Sequence, residues 1–169
     1  VRQVRFSADV MLTLINDILD LSKIEARKLE LLPKAIHFGS FLQSVVEICR
    51  IRAEEKGIDF VYQPAPQLPD GIKVDEKRLR QVLINLLGNA IKFTDKGSVS
   101  LTIEVIEASS KDTVRIQFKV GDTGVGIAPE DISKLFQAFE QVGDHKRQVE
   151  GTGLGLAISQ QIVHLMGGH

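Results

Sequence analysis

Two glycine-rich loops contain the residues whose types and spacing point most directly to chemistry. We call residues 122–127 the first loop and residues 151–156 the second loop. Glycine has no side chain, so backbone at these points can approach a flat ligand closely. Asp122 is placed to accept a hydrogen bond from an exocyclic amino group such as that of adenine. The second loop opens a helical pattern, whose unpaired N–H groups favour a phosphate. Together the loops predict a nucleotide site, although a plain strand-to-helix turn stays open for the first loop alone.

A second group of polar residues lies on one helical stripe between residues 77 and 93. Asparagine is a poor helix former, and Glu or Lys would cost about half a kcal/mol less at an exposed position. Asn85 and Asn89 stand at i and i+4, and their amide oxygens are hard neutral ligands that Mg²⁺ accepts beside phosphate. Lys92 adds a charge within reach of the same phosphates. A solvent-facing stripe remains an alternative. The stripe comprises Arg78, Gln81, Asn85, Asn89 and Lys92.

The common nucleotide-binding motifs are absent from these loops. No G-x-x-x-x-G-K-[ST] pattern occurs, and Ala128 and Pro129 stand where a dinucleotide fingerprint needs its third glycine. Between the loops, Phe136 and Phe139 precede a polar run that ends near Arg147. The polar run suits a flap that closes over a nucleotide, with Lys146 and Arg147 as phosphate contacts. The phenylalanines alternatively belong to a hydrophobic core.

Hydrophobic periodicity predicts the elements that must position these residues. Strands segregated from helices, with one antiparallel hairpin, indicate an α+β two-layer sandwich preceded by a long N-terminal helix. The predicted helices span residues 3–31, 39–56, 77–93, 129–136 and 153–166. The predicted strands span residues 35–38, 58–62, 72–74, 99–105 and 114–120, with a hairpin loop over 108–112.

Composition narrows the functional classes. The formal net charge of the 169 residues is −1, which argues against nucleic-acid binding. The single cysteine, Cys49, excludes an internal disulfide framework, and its apolar neighbours predict burial. No apolar run approaches the ~20 residues that span a bilayer, so we expect no membrane contact by this segment and a cytoplasmic location. The wide apolar face of the N-terminal helix favours half of a helical bundle or dimer, with packing on its own domain as the alternative.

Four segments, in order and spacing, resemble sensor histidine kinases. Residues 85–94 look like the N box of that family, 122–127 its G1 box, 135–140 its F box and 151–156 its G2 box. The resemblance implies a Bergerat fold, a mixed sheet packed on helices, for residues 33–169. Residues 8–32 are similar to the second helix of the dimerisation and phosphotransfer domain, so residues 1–32 are interpreted as part of that domain.

The resemblance also implies roles for single residues. Asn85 and Asn89 would bind Mg²⁺, Lys92 would contact phosphate, Phe93 would line the adenine pocket, and Asp122 would bind the adenine amino group. The glycines that would shape the loops are Gly124, Gly126, Gly151, Gly153 and Gly155. The remaining residues assigned to the ATP site are Phe136, Thr152, Leu154 and the lid arginine Arg147.

The sequence departs from the family's pattern at three points. An H box such as S-H-E-[LF]-R-T-P, which carries the phosphoacceptor histidine, does not occur in it. The family continues with two more strands after the position of His169, and Glu150 stands where a glycine often precedes the G2 box. The four histidines, which lie in other contexts, are His37, His145, His164 and His169.

These features favour the ATP-binding catalytic region of a two-component histidine kinase. Its Mg-ATP would supply a γ-phosphoryl group to a histidine that this sequence does not contain. The implied partners are a second copy, through the N-terminal helix, and the receiver domain of a response regulator. Two alternatives stay open: a non-catalytic nucleotide-binding scaffold, and an ATPase of the chaperone or gyrase branch. That branch typically has a catalytic carboxylate where this sequence has Asn85.

Overall fold

The structure is a computed structural model that describes residues 2–110, 113–140 and 152–169. The chain divides into two compact units. The sheet unit comprises residues 32–126, and the helical unit comprises residues 1–31 together with 127–169. In chain order the elements are α1 (Arg2–Glu25), β1 (Lys34–His37), α2 (Phe38–Lys56), β2 (Asp59–Pro64), β3 (Gly71–Val74), α3 (Glu76–Phe93), β4 (Ser98–Ser110), β5 (Thr113–Asp122), α4 (Pro129–Ile132) and α5 (Gly155–Leu165).

The sheet unit contains a mixed sheet with two helices packed on it. The three-stranded sheet has the order β2-β4-β5, in which β2 runs parallel to β4 and β4 antiparallel to β5. A separate antiparallel pair joins β1 to β3. Helix α2 contacts β2 and α3, and α3 contacts β4 and β5. The predicted α+β two-layer architecture is confirmed.

Alternating and helical apolar patterns meet in the core of the sheet unit. On β4, Val99, Leu101 and Ile103 lie on one face of the strand and are fully buried, as the period of two requires. Leu83 and Leu87, one helical turn apart on α3, are buried to 1% and 0% exposure. The residues of α2 that are 0–1% exposed are Phe38, Leu42, Val45, Val46, Cys49 and Ala53. The predicted burial of Cys49 is confirmed, and this core fixes α3 against the sheet.

The N-terminal helix is shorter than the predicted span of residues 3–31. Arg27 adopts a left-handed backbone conformation with φ 54°. Its N–H donates to the Ile24 carbonyl over 2.9 Å, and the Lys28 N–H donates to the Lys23 carbonyl over 2.7 Å. These two bonds form a Schellman motif, which ends a helix. The sequence has no glycine at this cap, so its composition does not reveal the helix end.

Three other predicted boundaries are corrected. The hairpin loop over residues 108–112 is too long, because β4 continues to Ser110, which pairs with Thr113. The predicted helix over 129–136 ends at Ile132 and gives way to turns. The last helix begins at Gly155, two residues after the predicted start at Gly153.

In the helical unit, α1 packs on α5 and keeps a wide apolar surface exposed. Contacts between the two helices show that α1 packs within its own unit, as the alternative interpretation required, while the favoured bundle or dimer stays a prediction. Apolar side chains of α1 nevertheless remain exposed. They include Met11 at 60%, Leu12 at 58%, Ile15 at 52% and Leu19 at 52%. No helix in the described part of the chain is long and apolar enough to cross a membrane.

Candidate nucleotide-binding site

Helix α3 positions the two asparagines and Lys92. The Asp75 side chain caps its first turn, accepting hydrogen bonds from the N–H of Arg78 over 3.1 Å and of Leu32 over 2.9 Å. This cap is typical of a helix start and anchors the helix to the preceding chain. Asn85 and Asn89 are half-buried, as are the other members of the predicted stripe. The stripe is therefore not the fully solvated face that the alternative interpretation requires.

The C-terminal end of α3 brings Lys92 and Phe93 to the first loop. The Lys92 ammonium lies 5.3 Å from the centre of the Phe93 ring, within cation–π range. A Cβ atom added to Gly124 would lie 2.5 Å from the Phe93 carbonyl oxygen. The first loop thus approaches the end of α3 so closely that only glycine fits at residue 124. The sequence predicted a close approach of this backbone to a flat ligand, whereas the approach seen at Gly124 is to the Phe93 carbonyl of the protein itself.

Asp122 is the last residue of β5, and the earlier strand end predicted at Val120 is wrong because Asp122 still pairs with Val99. Its side chain is exposed, and one carboxylate oxygen accepts a hydrogen bond from the Gly124 N–H over 2.8 Å. This local bond stiffens the loop start, a common role of Asp in turns. Gly126 has φ 72°, with open space where a Cβ would point. The first loop therefore needs Gly124 because a side chain would not fit there, and Gly126 because of its positive φ.

Thr123 anchors the first loop to the sheet, a role that the sequence did not single out. Its N–H donates to the Ser98 carbonyl over 3.1 Å, and its hydroxyl accepts from the Ser98 N–H over 3.0 Å. Gly97, with φ 111°, has no room for a Cβ, which would collide with the Thr123 hydroxyl. The sequence could have signalled this anchor only if the threonine of the Asp-Thr-Gly motif had been treated as significant, rather than as any residue between Asp122 and Gly124. The contact ties Asp122 and Gly124 to the start of β4.

In the helical unit, the second loop is held by backbone contacts with the segment that contains the phenylalanines. The Phe139 N–H donates to the Gly153 carbonyl over 3.0 Å. Gly153 has φ 68°, and a Cβ there would lie 3.0 Å from the Phe139 carbonyl carbon. Gly155 begins α5, and Leu154, which precedes it, is fully buried. Gly153 is therefore required by both conformation and space.

Thr152 joins the second loop to the long helix of the same unit. Its hydroxyl donates to the Asp17 carboxylate over 3.1 Å and accepts from the Leu154 N–H over 3.1 Å. Burial raises the pKa of Asp17 from its ordinary value of 3.8, the Thr152 hydrogen bond lowers it, and the neighbouring Asp20 charge raises it. The pKa of Asp17 is raised overall, so the carboxyl group that accepts the Thr152 hydrogen bond is costly to ionise.

Phe136 and Phe139 are not core residues, which corrects the alternative interpretation of them. Phe136 is 46% exposed and Phe139 66% exposed. Phe136 lines an open cavity of about 310 Å³ within the helical unit, together with Leu21 and Ile24 of α1 and Ala157 of α5. Phe139 has a φ of 67°, which is unusual for a bulky residue.

Two residues assigned to the site, Arg147 and Gly151, lie outside the described residues, as do Lys146, His145 and Glu150. The others fall into both units. The sheet unit contains Asn85, Asn89, Lys92, Phe93, Asp122, Gly124 and Gly126; the helical unit contains Phe136, Thr152, Gly153, Leu154 and Gly155.

The residues of the sheet unit fit a magnesium nucleotide. The described ranges hold no group of three or more His, Cys, Asp or Glu side chains that could bind a metal ion. A metal here would instead use the amide oxygens of Asn85 and Asn89, and such a neutral pair suits Mg²⁺ that already carries phosphate ligands. The side chain that Gly124 lacks would collide with the Phe93 carbonyl, so this glycine lets the first loop lie against the end of α3, next to Lys92 and Phe93.

Known proteins similar to this chain are consistent with that chemistry. Residues 74–169 match the sequence model of a family described as histidine kinase-, DNA gyrase B-, and HSP90-like ATPase. The chain is 42% identical over 163 residues to the signal transduction histidine-protein kinase BarA of Escherichia coli K12, covering 96% of this chain and 18% of BarA. It is 41% identical over 163 residues to the hybrid signal transduction histidine kinase L of Dictyostelium discoideum, covering 96% of this chain and 10% of that protein.

A solved structure is also similar to this chain in its fold. Full-length ShkA in complex with AMPPNP superposes with a TM-score of 0.81 and 38% sequence identity, over 98% of this chain and 33% of that one. The chain thus spans a third or less of each of these proteins. The family match covers residues of both compact units, and the division into residues 1–32 and 33–169 stays a prediction.

Proposed function

We propose that this chain, which belongs to the histidine kinase-, DNA gyrase B- and HSP90-like ATPase family, is the ATP-binding catalytic region of a two-component histidine kinase. In this proposal it binds Mg-ATP and supplies the γ-phosphoryl group to a histidine on a separate segment. A cytoplasmic location forms part of the proposal, because that is where ATP is available.

The observation that carries the proposal is the arrangement at α3. Two half-buried asparagines one turn apart precede Lys92 and Phe93, and the helix ends where the Gly124 backbone meets the Phe93 carbonyl. An asparagine pair on a half-buried helix face lowers helix propensity, so its presence there favours a ligand role.

Each residue has a proposed task. Asn85 and Asn89 hold the metal, Lys92 offsets negative charge on the phosphates, and Phe93 and Asp122 recognise the adenine ring and its amino group. Thr152, Gly153 and Gly155 present backbone N–H groups of the second loop to the phosphates, and Leu154, whose N–H donates to the Thr152 hydroxyl, keeps the loop in shape. Gly126 gives the first loop its positive φ, and Phe136 lies beside the flap. Arg147 and Gly151 keep their predicted roles as lid arginine and loop glycine.

Catalysis in this proposal consists of positioning and charge neutralisation. Bound Mg²⁺ would withdraw charge from the β- and γ-phosphate oxygens. Lys92 adds a second positive charge, which lowers the cost of bringing an imidazole nitrogen in line with the γ-phosphorus. The nitrogen attacks phosphorus, the bond to the β-γ bridging oxygen breaks, and ADP leaves. No carboxylate stands at position 85 to activate water, so hydrolysis is slow compared with transfer.

The proposed partners follow from the same reading. A second copy would cover the exposed apolar side chains of α1, including Met11 and Ile15, in a helical bundle. The receiver domain of a response regulator would take the phosphoryl group from the histidine. Two relatives named as signal transduction histidine kinases support a signalling role.

A transfer assay tests the function. The chain is incubated with ATP labelled at the γ-phosphate, alone and with a separate dimerisation and phosphotransfer domain that contains an H box. We expect acid-labile label on the added domain and none on the chain itself. Phosphohistidine on this chain alone would contradict the proposal. Binding without transfer would favour the scaffold, and rapid phosphate release without an acceptor would favour the ATPase branch.

A further inference from the structure

Lys56, the last residue of α2, contacts the C-terminal end of α3. Its ammonium donates to the Ile91 carbonyl over 2.7 Å and to the Lys92 carbonyl over 2.6 Å. It also lies 3.7 Å from the Asp95 carboxylate, and its side chain is 31% exposed. In the sequence Lys56 appears as an ordinary solvated charge at a helix end, because its partners are about 35 residues away.

These bonds satisfy carbonyls that a helix end leaves unpaired. The last four C=O groups of a helix have no intrahelical partner, and they carry the negative end of the helix dipole. In α3, the Ala90 carbonyl accepts a hydrogen bond from the Thr94 hydroxyl over 2.8 Å. The carbonyls of Ile91 and Lys92 accept from the Lys56 ammonium. The fourth, the Phe93 carbonyl, faces Gly124.

The end of α3 is therefore held by contacts from three directions. Thr94 closes the turn from within, Lys56 holds it from α2, and the first loop packs against Phe93. The residues whose backbone Lys56 fixes include Lys92 and adjoin Phe93, both assigned to the nucleotide. A cationic donor at this point favours the helix over a frayed end, in which Lys92 and Phe93 would lose their orientation.

We propose that Lys56 is a positioning residue of the nucleotide site. It touches no part of the nucleotide; it holds the last turn of α3 so that Lys92, Phe93 and the Phe93–Gly124 contact are arranged before ATP arrives. This inference rests on the proposed function, since it assigns Lys56 to the same site. It predicts that loss of Lys56 weakens nucleotide binding even when the protein remains folded.

The test compares two methionine substitutions on opposite ends of the α2–α3 interface. Lys56→Met removes the cap, whereas Arg80→Met removes the contacts of Arg80 with Glu76, Ser44 and the Phe41 ring. Affinity for ADP and ATP is measured by calorimetry with Mg²⁺, well below the midpoint of thermal unfolding of each variant. Lys56→Arg retains the charge and tests for rescue.

We expect Lys56→Met to bind roughly threefold to tenfold more weakly, as for loss of a partly exposed charged hydrogen bond. Arg80→Met should bind like the wild type whatever its stability, and Lys56→Arg should recover most of the affinity. If Lys56→Met does not stay folded, Lys56→Gln keeps an N–H donor without the charge and should also bind more weakly.

Three results overturn the positioning role. Unchanged affinity in a folded Lys56→Met or Lys56→Gln variant refutes it while leaving the proposed function intact. Equal losses in the Arg80→Met and Lys56→Met variants show a general effect of stability. Absence of nucleotide binding by the wild type overturns the proposed function, and the positioning role with it.

Discussion

Replacing Gly124 by alanine tests the close approach between the first loop and α3. The added Cβ would lie 2.5 Å from the Phe93 carbonyl oxygen, 2.8 Å from Asp122 Oδ1 and 3.0 Å from the Phe93 carbonyl carbon, whereas ordinary contact begins at 3.4 Å. Two of these atoms are backbone, so relief requires the loop or the end of α3 to move by about 0.9 Å. Overpacking of this kind costs roughly 1–3 kcal/mol.

The movement would disturb the nucleotide site directly. If nucleotide binding requires the original loop position, the same free energy is lost from binding, and the affinity falls by roughly 5- to 150-fold. Thermal unfolding and calorimetric titration with Mg-ATP measure both effects. Gly39→Ala in α2 is the matched control, because a Cβ there meets nothing within 4 Å. Its expected effect on affinity is nil. A Gly124→Ala protein with wild-type stability and affinity would show that the first loop does not need its close contact with the Phe93 carbonyl.

Three further predictions concern other parts of the chain. Gly153→Ala should destabilise the second loop by at least ~1 kcal/mol, because it combines φ 68° with a contact of 3.0 Å to Phe139; unchanged thermal stability would argue against this geometry. Asp17→Asn should have a free energy of unfolding that rises relative to that of the wild type as the pH increases above 3.8, because ionising a carboxyl with a raised pKa destabilises the folded wild type. Unfolding measured across this pH range checks it, and a difference in stability that does not grow with pH would contradict the raised pKa. The Cys49 thiol is buried with a raised pKa, so a thiol reagent should label it only on unfolding, and rapid labelling of the native protein would exclude that burial.

Sequence patterns located the core elements of the sheet unit well. Helix α3 begins one residue before its predicted start and ends at the predicted Phe93, because its apolar face is strongly periodic. The same wheel placed Asn85 and Asn89 on one stripe, and the structure shows that stripe half-buried. These features depend on local spacing, which the sequence contains.

Features that depend on tertiary contacts or unusual backbone were missed. Arg27 ends α1 in a left-handed conformation that composition assigns to glycine. The bond from Lys56 to the end of α3 and the bond from Thr152 to Asp17 each join residues far apart in sequence. No periodicity encodes such pairs, so the cap on α3 and the anchor of the second loop became visible only in the folded structure.

Magnesium-dependent nucleotide binding in an Asn89→Ala variant is the measurement that decides whether the asparagine pair of α3 holds Mg²⁺. Alanine is the better helix former, so this change should raise thermal stability by up to about half a kcal/mol. We nevertheless expect weaker binding of ATP with Mg²⁺, and a smaller difference between titrations with and without Mg²⁺. Asn16→Ala, on the exposed side of α1, is the matched control and should bind as the wild type does. Wild-type affinity and wild-type magnesium dependence in Asn89→Ala would show that Asn89 does not bind the metal.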